Sequence, residues 1–143
     1  MKAIAASTWL IGIWYLGWLT AAPQLLAGEH RAQVTIRAMP VQQSQMRIEI
    51  KVEPNEGFQL TTENAPWSLK LSGVQGADPG LAKTVWKGAE LVSLLPQGSI
   101  DIQPKASGAF SPPESLNYEL IAFVCTSDKT QCFREVYRGV VQR

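Results

Sequence analysis

The chain has 143 residues, 45% hydrophobic and 17% charged, and thirteen Lys and Arg against twelve Asp and Glu leave a formal net charge of +1. That size fits one globular domain behind a targeting segment, with a core large enough to fold without many disulfides. The even charge balance, with no long run of one sign, excludes a nucleic-acid track and a basic membrane-binding face. One histidine and two cysteines are too few for the Cys/His clusters that hold zinc or copper, so no cofactor is expected.

The first 27 residues have the order of a secretory signal. Lys2 supplies the positive start, Ala3 to Leu19 the apolar middle, and Thr20-Ala21-Ala22 the small residues that follow. The apolar run is short and interrupted by glycine for a spanning helix, which needs about 20 apolar residues. A cleaved signal is therefore the first expectation and an uncleaved anchor the second. Pro23 disfavours cutting after Ala22, which leaves Ala27 as a cleavage position and places the domain at residues 29–143. Either way the domain is expected outside the cytoplasm, periplasmic or secreted. Cleavage after Ala27 would expose Gly28-Glu29-His30, whose amine, two amides and imidazole suit a square-planar Cu(II) or Ni(II) site.

From Ala32 onward apolar and polar residues alternate, which is the pattern of half-buried strands. Val34 and Ile36 begin it. Met46, Ile48, Ile50 and Val52 form the clearest strand, stopped by the turn residues Pro54-Asn55-Glu56-Gly57. Trp67, Leu69 and Leu71 make the next, followed by a loop from Gly73 to Gly80. Leu81 to Leu95 reads two ways. Leu81, Val85, Ala89 and Val92 could line a helix, whereas Thr84, Val85 and Trp86 favour a strand. Ile100 and Ile102 make another strand before the loop from Pro104 to Pro113, and Leu116 to Cys125 and Cys132 to Val141 pair as a hairpin.

Six or seven short strands between Gly/Pro turns predict an all-β domain, an antiparallel sandwich of immunoglobulin-like type, with a small barrel as the alternative. Ile48, Ile50, Val52, Leu69, Leu71, Leu120, Ala122 and Val136 are the expected core. Trp67, Trp86, Phe123 and Tyr137 read as packing residues, and Glu49 and Glu53 as solvated carboxylates on a polar strand face. His30, at the start of the domain, is poorly placed for a catalytic triad.

Cys125 and Cys132 flank a six-residue polar loop between the last two strands. Residues facing each other across an antiparallel pair come close enough for a disulfide. In the chain-entropy model such a short loop is worth about 2.5 kcal/mol, so a structural staple is a sufficient account. The pair also sits beside a loop, where an exchange partner could reach a sulfur. Lys129 and Arg134 would favour a thiolate there and Asp128 would oppose it.

The run Tyr118-Glu-Leu-Ile-Ala-Phe-Val-Cys125-Thr-Ser-Asp-Lys-Thr-Gln-Cys132-Phe-Arg-Glu, a strand into one cysteine and out of another, resembles the end of the N-terminal periplasmic domain of the thiol:disulfide interchange protein DsbD. Gly57-Phe58-Gln59-Leu60-Thr61-Thr62-Glu63-Asn64-Ala65-Pro66-Trp67-Ser68-Leu69 is similar to a turn-and-strand region of small exported relatives of that domain. The resemblance implies an immunoglobulin-like sandwich whose hairpin disulfide, here Cys125 and Cys132, takes electrons from a membrane domain and passes them to oxidised periplasmic proteins. It also implies an aromatic cap over the disulfide, for which Trp86 and Phe110 are the candidates. The electron donor would be a separate membrane thiol transporter or a thioredoxin-like protein. The alternative is a non-catalytic periplasmic binding or accessory domain with a structural disulfide.

Overall fold

A computed structural model describes residues 30–41, 45–105 and 115–143. Among them eight strands form two antiparallel sheets that pack face to face, as the alternation predicts. In the first sheet, β1 (Ala32–Val41) and β6 (Gln97–Ile102) flank β2 (Gln45–Pro54). The register sets Ile36 against Ile50, Val34 against Val52 and Ile48 against Ile100, so one face of all three strands is apolar. Ile48, Ile50 and Val52 are fully buried, each contributing roughly 1.5–3 kcal/mol through the area removed from water.

The second sheet is built on β7 (Asn117–Thr126). Along one edge it pairs with β8 (Cys132–Val140). Its other edge is shared, because β3 (Phe58–Leu60) pairs with its end, residues 124–126, and β4 (Ser68–Ser72) with its beginning, residues 117–121. The chain between β3 and β4 turns Trp67 into the core, where its indole N–H donates to the Thr61 carbonyl at 2.6 Å. β5 (Val85–Lys87) extends the sheet beyond β4.

The segment 81–95 takes both of its expected forms in succession. Leu81 bridges Pro104, Val85 to Lys87 are strand, and Ala89–Val92 form α1, a single helical turn that buries Leu91. The chain then passes the cis Leu95–Pro96 bond into β6. Gly98 is required at this crossing, since a Cβ there would lie 2.6 Å from the Leu94 carbonyl oxygen.

Val136 is a correction to the expected core. The register pairs it with Ile121 on the outer face of the second sheet, and it is only half-buried. The inner face of β8 carries Phe133, Glu135 and Tyr137 instead, opposite Val124, Ala122 and Leu120. The other seven expected core residues are buried. After β8 the chain crosses to the first sheet. Gln142 forms a parallel bridge to Arg37, donating its N–H to the Ile36 carbonyl at 2.9 Å and accepting from the Ala38 N–H.

Candidate functional site

Cys125 and Cys132 are directly opposed at the open end of the β7–β8 ladder and joined by a disulfide, with Cα atoms 3.9 Å apart. One step further out, the Thr126 N–H donates to the Gln131 carbonyl at 2.8 Å. The cysteines therefore occupy a non-hydrogen-bonded position, where opposed side chains approach most closely.

The loop beyond them is ordered by its own polar groups. Lys129 takes a left-handed conformation (φ 60°) and donates its N–H to the Thr126 carbonyl at 2.8 Å. Asp128 accepts from the Thr126 hydroxyl and from the Thr130 N–H and hydroxyl. Those hydrogen bonds, the one from Thr126 first, hold its carboxyl below the usual range. Ser127 donates its N–H to the Gly57 carbonyl at 3.0 Å, tying the loop to the turn before β3.

The two sulfur-bearing residues differ in access. Cys125 lies between β3 and β8 and is 2% exposed, whereas Cys132, on the sheet edge, is exposed. Cys132 is therefore the member of the pair that solvent reaches. On the same outer face follow the pairs Phe123 with Arg134, Ile121 with Val136 and Glu119 with Arg138. Arg138 is ion-paired to Glu119 at 2.7 Å, but Arg134 faces a phenylalanine.

Beneath the hairpin lies a cluster that the sequence reading did not identify. Glu135 is 7% exposed and accepts from the Arg31 N–H at 3.1 Å, from the Arg31 Nη1 at 2.7 Å and from the Tyr137 hydroxyl. Burial pushes its carboxyl up, but the hydrogen bonds from Tyr137 and Arg31 outweigh it and hold the group below its ordinary value. Burial and the adjacent carboxylate push the Tyr137 hydroxyl well up. The Arg31 guanidinium stands 3.6 Å from the centre of the Phe133 ring, a cation–π contact next to Cys132. The available signal was register: with Cys125 against Cys132, Glu135 falls opposite Ala122 on the buried face.

Other expected site residues are dispersed. Trp86 is a core residue on the far strand β5, in line with Leu69, Leu120 and Tyr137, five positions along β7 from Cys125, so it does not cover the disulfide. Phe110 lies outside the described residues, as do residues 1–29 and with them the expected signal segment and Gly28-Glu29. His30 stacks on Tyr137 with ring centres 4.3 Å apart and turns its Nδ1 toward Glu135, 3.9 Å away. Among the described residues there is no group of three or more His, Cys, Asp or Glu placed to hold a metal, and no helix long and apolar enough to cross a membrane. Comparison of the chain with protein-family models, with curated proteins and with solved structures finds no match.

Proposed function

We propose that this chain is an exported thiol–disulfide exchange domain, similar to the N-terminal periplasmic domain of DsbD, in which Cys125 and Cys132 relay electrons between a donor dithiol and an oxidised protein. The observation that carries the reading is the asymmetry of the pair, one cysteine exposed at the sheet edge and its partner buried within bonding distance. Eight residue pairs besides the cysteines already align β7 with β8, Asp128 orders the loop, and the closed loop is short, where the entropic gain is smallest at about 2.5 kcal/mol. The proposal takes the two-sheet sandwich as immunoglobulin-like, supported by the parallel bridge from the chain after β8 to the first strand.

The exchange runs in two halves. A donor thiolate attacks the Cys132 sulfur, the Cys125–Cys132 bond breaks, and Cys125 leaves as a thiolate that takes up a proton. The donor's second thiolate then attacks its own sulfur in the mixed disulfide, releasing Cys132. The donor leaves oxidised and the pair has gained two electrons. In the second half the Cys132 thiolate attacks a disulfide of the acceptor, and deprotonated Cys125 resolves the mixed disulfide by attacking Cys132. The pair returns to its oxidised form and the acceptor leaves as a dithiol. In this reading the donor is a membrane thiol transporter or a thioredoxin-like protein, and the acceptors are oxidised exported proteins.

Equilibration of the purified domain in thiol redox buffers is the test. A relay needs a potential well above the roughly −300 mV below which structural disulfides fall. Cys125→Ala, which keeps the exposed sulfur, should trap a mixed disulfide with a thioredoxin-like protein, and Cys132→Ala should trap little. A potential below that boundary with no trapped complex from either variant would leave an accessory domain with a structural bond.

A further inference from the structure

Arg134 is on the outer face of the second sheet, two positions from Cys132 on β8 and opposite Phe123. Alternate residues of a strand stand on one face about 6.5–7 Å apart, so its side chain rises beside the exposed sulfur. Arg138, the next cation along that face, is neutralised by Glu119, and Arg31 beneath the hairpin is neutralised by Glu135. Among the described residues Arg134 has no carboxylate partner, and neither has Lys129 at the loop tip. Asp128 in the loop accepts from Thr126 and Thr130 through its Oδ1 and stays ionised, so it opposes these cations from the loop side while forming an ion pair with neither. Glu56, in the turn that binds Ser127, is an exposed carboxylate on the β3 side of Cys125, and Glu63, two residues past the Thr61 that bonds Phe123, is another.

We infer that Arg134 is the positioning charge of the exchange reaction: it raises the thiolate fraction of reduced Cys132 and so favours it, over Cys125, as the sulfur that attacks an oxidised partner. The assignment rests on the exchange reading above and adds the residue that gives the pair its direction. Cys125, buried between β3 and β8, keeps its proton until the mixed disulfide forms, while exposed Cys132 beside a cation without an ion-pair partner gives its proton up first. Lys129 adds a smaller and more mobile contribution, since it projects from the loop tip into solvent.

The test uses a single-thiol chain. Cys125→Ala leaves Cys132 as the only thiol, and its alkylation by iodoacetamide is followed from pH 5 to 10 at low ionic strength. Adding Arg134→Gln should move the profile to higher pH and lower the rate at pH 7 about threefold, the size expected for one charge near 7 Å at a solvent-exposed site. Arg134→Lys should restore most of the rate. In 1 M salt, where the screening length is about 3 Å, the difference should collapse. An unchanged profile in Arg134→Gln overturns the assignment, as does a loss that persists in 1 M salt and is not rescued by lysine. Should Cys125→Ala fail to fold, the same profile is taken on the chemically reduced native chain, with the alkylated cysteine located by peptide mass. No exchange partner enters the measurement, so the Arg134 assignment fails on the profile alone and the relay reading on potential and trapping.

Discussion

Glu135 carries a charge on the face of β8 that packs against the other sheet, and it is tolerated there because Oε1 accepts from Arg31 and Oε2 from Arg31 and Tyr137. A buried carboxylate with those partners loses more than one hydrogen bond when its charge is removed. Glu135→Gln should therefore lower stability by about 1–3 kcal/mol at pH 7, measured as a shift in the denaturation midpoint. The sign of the pH dependence follows from a folded-state value held below the ordinary one. The carboxylate's contribution is fully present above the unfolded carboxyl value, near pH 4.3, and fades as pH falls through the lower folded value. Parent and Glu135→Gln should thus converge in stability toward pH 3. A gap of constant size from pH 7 to 3 would mean that packing, and not the charge, is what Glu135 contributes.

Among the elements, β2 and β8 show what alternation can and cannot specify. Ile48, Ile50 and Val52 alternate with charged residues whose side chains reach solvent, so period and facing were legible together, and Ile50→Ala should cost about 2–5 kcal/mol in chemical denaturation. In β8 the apolar Val136 lies outward and the ionisable Glu135 inward, an inversion that a rule of buried hydrophobics reads backwards. Val136→Ala should accordingly cost less than about 1 kcal/mol, and a loss as large as that of Ile50→Ala would show that the face of β8 is misassigned. β3, three residues long, has too few alternations to register as a strand. The stretch 81–95 was ambiguous because a three-residue strand and a single helical turn fit within one window of periodicity. The cysteine pair was legible from spacing alone, whereas the burial of one member and the exposure of the other depend on β3, which arrives from far away in sequence.

At the scale of the whole molecule, the sandwich is fastened on one side by the bridge between Gln142 and β1. Its two hydrogen bonds join strands of different sheets, and the neighbouring Val141 N–H donates to the Leu116 carbonyl at 2.7 Å. Gln142→Pro removes the N–H that bonds Ile36 and should cost about 1 kcal/mol, with faster amide hydrogen exchange at Ala38, whose acceptor is the Gln142 carbonyl. Unchanged exchange at Ala38 would show that the bridge does not govern opening of that edge. The bridge also sets a clock on synthesis. Position 37 leaves the ribosome 105 residues before position 142, an interval of roughly 5–20 s at ordinary elongation rates. Once β2 has followed, β1 and β2 can form a hairpin, but the edge of β1 that Gln142 covers stays bare until Gln142 emerges, and for that time it is open to a chaperone.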